Sequence, residues 1–230
     1  MVETVSMNGG NGPNSYTQNS KSQEEGSTRA KALLAKSIQE NLEIQNNSRV
    51  FSIADLGCSV GPNTFSCVQT IMQAVQLKLK NCGPDLEEPE FHVFFNDNVT
   101  NDFNTLFKAL PPERQYMAAG VPGSFHGRLF PKASMNFMHS SFALNWLAKV
   151  PKEVTQEYSS AWNKGRVSYV LSSREVMNAY AAQFSSDIEA FFSARSMELA
   201  GDGLLVVIMP CRAEGTLPSE STILDVLECL

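Results

Sequence analysis

The sequence predicts a doubly wound α/β fold, in which helices cover both faces of a parallel sheet. Short apolar runs alternate along the chain with amphipathic segments, which is typical of buried parallel strands joined by crossover helices. Two of these runs end in an acidic residue, and a glycine-rich turn joins the first run to a helix. The 230 residues, of which 43% are hydrophobic, suffice for one large core.

The first elements follow from the spacing of apolar residues. Residues 1–27 are polar and rich in Gly, Asn and Ser, so we expect an irregular arm. From Thr28 the apolar residues share one face of a helix, which the polar segment Asn46–Ser48 ends. Val50–Asp55 is predicted as a buried strand, and Leu56–Asn63 as the turn after it.

The remaining elements continue this alternation, beginning with a helix whose first turn suits Pro62. The elements predicted after it are strands at Phe91–Asp97, Tyr116–Val121, Met135–His139 and Leu204–Met209, helices at Asp102–Leu110 and Ser173–Ala200, and a small helical excursion at Val150–Lys164. We expect Gly201–Gly203 to cap the longest helix, and Ser219 or Ser221 to begin a last one. No strand follows that helix, which would leave an apolar edge strand, so we expect a fragment that lacks its C-terminal strands.

Composition and charge exclude several function classes. The net charge of −6 and the absence of a Lys/Arg cluster argue against binding to nucleic acid or to an anionic membrane surface. No apolar run approaches about 18 residues, and no secretory signal is visible, so we expect a cytoplasmic protein without a membrane span. The five cysteines and three histidines are scattered, as reduced thiols and as packed or surface side chains would be.

The turn after the first strand is the first candidate ligand site. Its glycines, Gly57 and Gly61, have G-x-x-x-G spacing, and the acid that ends the second strand, Asp97, lies far beyond the position of a dinucleotide-binding acid. This pattern disfavours NAD. An acid two residues before the first glycine, here Asp55, with a second acid for ribose hydroxyls is the arrangement that S-adenosylmethionine enzymes use. The alternative is a purely structural turn.

Two further segments follow strands and therefore face the ligand crevice of an open sheet. Ser124 and Phe125 could flank an adenine ring, the first by hydrogen bonding and the second by stacking. Phe142, Asn145 and Trp146 follow the fourth strand, where the indole offers an apolar wall and one N–H donor. For both segments the alternative is a turn or core packing.

Five ordered motifs together resemble the plant SABATH methyltransferases, which methylate salicylate, jasmonate, benzoate and related acids and include the caffeine-pathway N-methyltransferases. The motifs are Met7–Gln23, Ile53–Thr64, Asn96–Asn104, Gly120–Pro131 and His139–Leu147. The resemblance implies a Rossmann-like class I methyltransferase sheet with a partial α-helical cap. It also implies a homodimer in the full-length form. The implied division is an arm at 1–27 that closes over the site, an α/β core at 28–149 and 166–230, and part of the cap at 150–165.

The resemblance also implies which residues hold the two substrates. For the methyl donor, S-adenosylmethionine, they are Tyr16, Ser20, Asp55, Gly57, Cys58, Asn63, Asp97, Asn98, Ser124 and Phe125. Asn98 departs from the leucine usual in the family. For the acceptor they are Gln23, Phe142, Asn145 and Trp146, of which Gln23 and Trp146 orient the carboxylate. Some members are described with magnesium, and only Asn163 matches that site.

The implied reaction is O-methylation of the carboxyl group of a small plant acid. Such an acid is ionised at neutral pH, so the site needs alignment and exclusion of water rather than a general base. Two alternatives stay open: an N-methyltransferase of a purine-like acceptor, and an inactive fragment that binds only the cofactor or a homologous partner.

Overall fold

The structure, a computed structural model, describes residues 6–44, 49–82, 87–166, 168–169 and 172–211. Its strands are β1 (Val50–Leu56), β2 (Glu90–Asp97), β3 (Tyr116–Pro122), β4 (Met135–Ser141) and β5 (Leu199–Ile208). They form one parallel sheet in the order β3-β2-β1-β4-β5. The predicted doubly wound α/β class is confirmed.

Helices cover both faces of this sheet. They are α1 (Tyr16–Asn19), α2 (Lys21–Asn41), α3 (Pro62–Cys82), α4 (Phe103–Lys108), α5 (Lys152–Thr155) and α6 (Arg174–Glu198). On one face, Ile38 of α2 and Ile71 of α3 pack with Phe95 of β2, all fully buried. On the other face, Phe191 of α6 packs with Met138 of β4. The two layers hold the sheet between them, so its carboxyl edge is left for the loops.

The strand order reverses between β1 and β4. From β1 the chain proceeds outward through β2 to β3, and then returns to add β4 on the other side of β1. In open α/β sheets such a switch point opens a crevice beyond the carboxyl ends of the strands, where ligands bind. The turns after β1, β2, β3 and β4 therefore meet at one place.

The arm is more regular than predicted, because α2 begins at Lys21 rather than at Thr28 and is preceded by α1. The first turns of α2 lie beside the crevice instead of on the core, so they lack the apolar periodicity from which a helix is predicted. Gly26 shows this contact: a Cβ there would lie 2.4 Å from the ring of Phe142. The predicted helix end at Asn46–Ser48 lies outside the described residues.

The prediction that Gly201–Gly203 caps the longest helix is wrong. Helix α6 passes directly into β5, and Leu199 already pairs with Met135 of β4. The glycines lie within β5, where the pairing register shifts. A Cβ on Gly203 would lie 2.9 Å from the carbonyl oxygen of Met135, so glycine permits close approach of two backbones there.

The other predicted elements in the described residues differ from the observed ones by a few residues at their ends, apart from the excursion at 150–164, of which α5 is the helical part. The predicted last helix, with Ser219 or Ser221 at its start, lies outside the described residues. Within them, β5 pairs with β4 alone. None of the helices described is long and apolar enough to cross a membrane.

Candidate functional site

A cavity of about 560 Å³ opens at the carboxyl ends of the strands. Its lining comes from the arm with the start of α2, the turns after β1 and β2, the loop after β3, the segment after β4, and Pro210 beyond β5. The predicted residues among its lining are Tyr16, Gln23, Gly57, Asp97, Asn98, Ser124, Phe125, Phe142, Asn145 and Trp146. The structure therefore brings together residues from five places in the chain.

Gly57 in the turn after β1 is required by backbone geometry. Its φ of +85° lies in the left-handed region, and a Cβ would lie 2.3 Å from the Cβ of Ala143. The N–H groups of Gly57 and Cys58 both donate to the carbonyl oxygen of Asn96, at 2.9 and 3.0 Å. These contacts tie the turn to the end of β2 and leave the backbone at Gly57 open to the cavity.

Asp97 at the end of β2 is held in place by backbone donors. Its two carboxylate oxygens accept hydrogen bonds from the N–H groups of Ser59 and Asn98, both at 2.7 Å. Burial raises the pKa of Asp97, the two N–H donors lower it, and the nearby charge of Asp55 raises it further. The carboxylate keeps free lone pairs at the cavity wall, where it can accept bonds from hydroxyl groups of a ligand.

Asp55 lies beneath the turn rather than in the main cavity. It is 4% exposed, one carboxylate oxygen accepts a hydrogen bond from Thr64, and the other lies 2.8 Å from Nδ1 of His139. The Cys67 sulfur lies close to both ring nitrogens of His139, 3.3 Å from Nε2 and 3.6 Å from Nδ1. Asp55 thus lines only a small adjoining pocket of about 20 Å³, large enough for about one water molecule.

Two of the three remaining residues predicted to bind the methyl donor line that small pocket. Cys58 and Asn63 line it together with Tyr16, while Ser20 borders neither cavity. The side-chain amide of Asn63 donates to the hydroxyl of Ser20 at 3.1 Å, which joins the start of α3 to the start of α2. Burial raises the pKa of the Cys58 thiol well above its usual value. Cys58 is therefore a neutral, packed thiol.

The loop after β3 supplies one wall of the main cavity. Ser124 and Phe125 line it as predicted, and the ring of Phe125 packs edge-on against Phe191 with centroids 6.2 Å apart. Sequence reasoning missed His126, which also lines the cavity and whose Nδ1 is buried without a hydrogen-bond partner among the described residues. Its position next to the Ser-Phe pair was the available signal.

Another part of the cavity wall comes from α2 and the segment after β4. Oε1 of Gln23 is buried and has no hydrogen-bond partner among the described residues, while Trp146 lies at the rim, 54% exposed. Phe142 adopts a left-handed φ of +55°. Sequence reasoning missed the other lining residues at the arm and after Trp146, which are Ser6, Met7, Leu147, Ala148, Lys149 and Val150. Only their adjacency to the motifs signalled them.

Asn163, the predicted metal ligand, does not fit a metal site in the part of the chain described. Its side-chain oxygen accepts a hydrogen bond from the Ser172 hydroxyl at 2.6 Å, and its nitrogen donates to the carbonyl oxygens of Arg166 and Ser168. Among the described residues no group of three His, Cys, Asp or Glu side chains could hold a metal. The side chain of Asn163 instead holds its own loop together.

The sheet order, the glycine turn after β1 and the half-buried acid at the end of β2 define a Rossmann-like protein with the organisation of a methyltransferase. The family model for SAM-dependent carboxyl methyltransferases matches residues 2–230. The chain therefore belongs to this family, and the predicted membership of the SABATH methyltransferases is confirmed.

Curated relatives and a solved structure are closely similar. The chain is 48% identical over 214 residues to loganic acid O-methyltransferase of Catharanthus roseus, covering 91% of this chain and 57% of the relative. It is 46% identical over 215 residues to farnesoic acid carboxyl-O-methyltransferase of Arabidopsis thaliana, covering 94% and 61%. A structure of loganic acid methyltransferase with SAH superimposes with a TM-score of 0.89 at 46% identity, covering 94% and 62%. The chain thus spans about three fifths of the length of these relatives.

Proposed function

We propose that this chain binds S-adenosylmethionine in the cavity and directs methyl transfer to the carboxylate of a small organic acid, giving a methyl ester. The observation that carries the proposal is the Asp97 carboxylate, fixed by two backbone N–H groups at the cavity wall. When bound, S-adenosylmethionine supplies an electrophilic methyl group. The chain's own residues have only to bind, orient and exclude water.

The part of the proposed site that binds the methyl donor combines the Asp97 carboxylate with aromatic side chains and a serine hydroxyl. Asp97 accepts hydrogen bonds from the ribose hydroxyls. Ser124 and Phe125 flank the adenine ring, and Tyr16 closes the cavity on the side of the N-terminal arm. All four side chains line the cavity. Gly57 lets the ligand approach the turn backbone, because it carries no side chain in its path.

The acceptor half relies on neutral donors. Gln23 and Trp146 line the same cavity as Phe125, and Oε1 of Gln23 is buried without a hydrogen-bond partner in the described part of the chain. Because rotation of the side-chain amide by 180° interchanges the positions of its oxygen and nitrogen, Gln23 can donate an N–H hydrogen bond to a carboxylate. Neutral N–H donors orient the acid but leave the negative charge on its attacking oxygen. An arginine in their place would neutralise that charge.

The direct test is a calorimetric titration of the folded chain with SAH, followed by a methyl-transfer assay with a panel of carboxylic acids and xanthosine-type acceptors. We expect saturable one-site binding and transfer to acids. A folded sample that fails to bind SAH would refute the proposal, and transfer to the purine acceptors alone would favour an N-methyltransferase. The homodimer and the cytoplasmic location also remain predictions.

Affinity for SAH should decrease as the pH is lowered through the raised pKa of Asp97. Protonation removes the acceptor lone pair that a ribose hydroxyl uses, and ligand binding in turn favours the ionised form, so binding near that pH releases protons. Titrations in two buffers with different ionisation enthalpies measure this release. Asp97→Asn is the control and should bind weakly at every pH. A variant with the wild-type pH profile would contradict the role of Asp97.

Substituting Gln23 should weaken acceptor use and leave the donor in place. A hydrogen bond to a charged group contributes about 1.5–3 kcal/mol, so we expect Gln23→Ala to lower kcat/KM for the acid about 10- to 100-fold. Gln23→Glu should lower it further, because it places a like charge beside the carboxylate. Gln18→Ala, an exposed glutamine in α1, is the matched control. Equal loss of SAH affinity in the Gln23 variants would contradict this division.

A further inference from the structure

Helix α6 presents buried charged side chains to the back of the cavity walls. Asp187, Arg195 and Glu198 are 6%, 1% and 0% exposed, and Phe191 lies between them on the same helical face. None of these four residues lines the cavity. Buried charges require specific partners, and here the partners are backbone groups of the loops in front of the helix.

Arg195 and Glu198 form an ion pair that binds the loop after β3 at four backbone groups. The guanidinium donates to Oε2 of Glu198 at 2.7 and 2.8 Å and to the carbonyl oxygens of Phe125 and Gly127 at 2.7 and 2.9 Å. Oε1 of Glu198 accepts from the N–H groups of Leu129 and Phe130. The pair thus determines the path of the loop from Phe125 to Phe130.

This loop carries the residues proposed to flank the adenine ring. Arg195 holds the carbonyl of Phe125 itself, and its guanidinium also lies over the Phe191 ring at 5.1 Å, against which Phe125 packs. Two side chains of α6 therefore position the Phe125 ring. Arg195 binds the Phe125 carbonyl oxygen, and Phe191 packs against the ring itself.

Asp187 holds the part of the cavity wall that follows β4 in a similar manner. One of its oxygens accepts from the N–H of Ala148 at 2.9 Å, and the other accepts from Gln183 at 2.7 Å. Ala148 belongs to the segment after β4, on the acceptor side. Asp187 is therefore a suitable control for Arg195 and Glu198. It is buried on the same face of α6 but contacts the wall after β4 instead of the loop after β3.

We propose that the Arg195–Glu198 ion pair positions the donor-binding loop, so that adenosine affinity depends on two side chains that never touch the ligand. This inference rests on the proposed function, because it concerns the donor half of that site. Arg195 and Glu198 are positioning residues. A shift of about 1 Å in a binding group can change affinity or rate by about 100-fold, and without the pair the four backbone groups lose the partners that prevent such a shift.

The test separates positioning from stability. Replacing one partner strands a buried charge, whereas replacing both with apolar residues of similar volume often leaves stability unchanged. The main variant is therefore Arg195→Met together with Glu198→Leu. We expect this variant to fold with a lower Tm than the wild type, because four backbone groups lose their hydrogen-bond partners. We expect its Leu129 and Phe130 amides to exchange hydrogen faster, and its Kd for SAH to rise about 10- to 100-fold.

Two further variants complete the design. Glu198→Gln keeps an oxygen acceptor for Leu129 and Phe130, so it should show an intermediate loss of affinity, and it takes the place of the double variant if that one does not fold. Asp187→Asn should leave the Kd for SAH within about threefold of the wild type, because it acts on the other wall.

The outcomes are distinguishable. Failure of the folded wild-type chain to bind SAH would overturn the proposed function, and this inference with it. Wild-type binding together with an unchanged Kd in a folded variant of the pair would overturn the inference alone. An equal loss of affinity in Asp187→Asn would also overturn it, because α6 would then act through general stability rather than through the donor-binding loop.

Discussion

Replacing His139 with leucine is expected to lower the free energy of unfolding by about 3–5 kcal/mol, the effect of breaking a buried ion pair by removal of one partner. His139 is 1% exposed, and its Nδ1 lies 2.8 Å from the Asp55 carboxylate, which is itself buried. Leucine fills a similar volume but leaves the buried Asp55 carboxylate with Thr64 as its one side-chain hydrogen-bond partner among the described residues. The cost comes from the stranded carboxylate rather than from a cavity.

Urea denaturation measures this loss. His92→Leu is the matched control, because His92 is partly exposed on β2 and its Nε2 lies 3.5 Å from the exposed carboxylate of Glu90. Its substitution should change stability by less than about 1 kcal/mol. If both variants lose the same amount, the pair with Asp55 does not stabilise the fold.

The same pair makes stability depend on pH. Burial opposes protonation of His139, but the neighbouring Cys67 sulfur and the hydrogen bond and negative charge of Asp55 outweigh burial and raise its pKa to about 10, from 6.5 for an unperturbed histidine. Because the folded-state pKa is the higher one, the contribution is fully present below about pH 6.5 and is lost as the pH rises through about 10. Denaturation at a series of pH values should show this decrease in the wild type, and His139→Leu should lack it.

Substituting Gly57 with alanine should abolish donor binding at accessible SAH concentrations and destabilise the fold. Alanine at φ +85° is strained by about 1–3 kcal/mol, and a methyl group 2.3 Å from the Cβ of Ala143 adds a clash of similar size. Relief of this clash displaces the turn relative to Ala143, and both Gly57 and Ala143 line the cavity proposed for the donor. We therefore expect at least a 100-fold increase in the Kd for SAH.

Calorimetry with SAH and a thermal melt together check this prediction. Gly201→Ala is the control, because a Cβ at Gly201 meets nothing within 4 Å and its φ is not in the left-handed region. That variant should bind SAH as the wild type does. Wild-type affinity in a folded Gly57→Ala protein would show that the donor does not approach this turn.

The inner strands could be predicted because each is a short apolar run that is buried on both faces of a parallel sheet. Val50–Leu56 and Glu90–Asp97 illustrate this, since nearly every inward position is hydrophobic. The start of α2 could not be predicted in this way. Its first turns face a cavity instead of a core, so polar residues and Gly26 occupy positions where a periodic pattern would have apolar ones.

The sequence by itself determined the order of the elements, the glycine turn and the acid at the end of the second strand, because these depend on local spacing and on burial. Only the tertiary structure decided which polar side chains support the site. Asp55 and His139 are 84 residues apart, and Arg195 lies 70 residues from Phe125. The pairing of β1 with β4 sets Asp55 opposite His139, and the packing of α6 against the sheet brings Arg195 to Phe125. A buried charge is satisfied by whichever group the fold brings within hydrogen-bond distance, and no local pattern encodes that group.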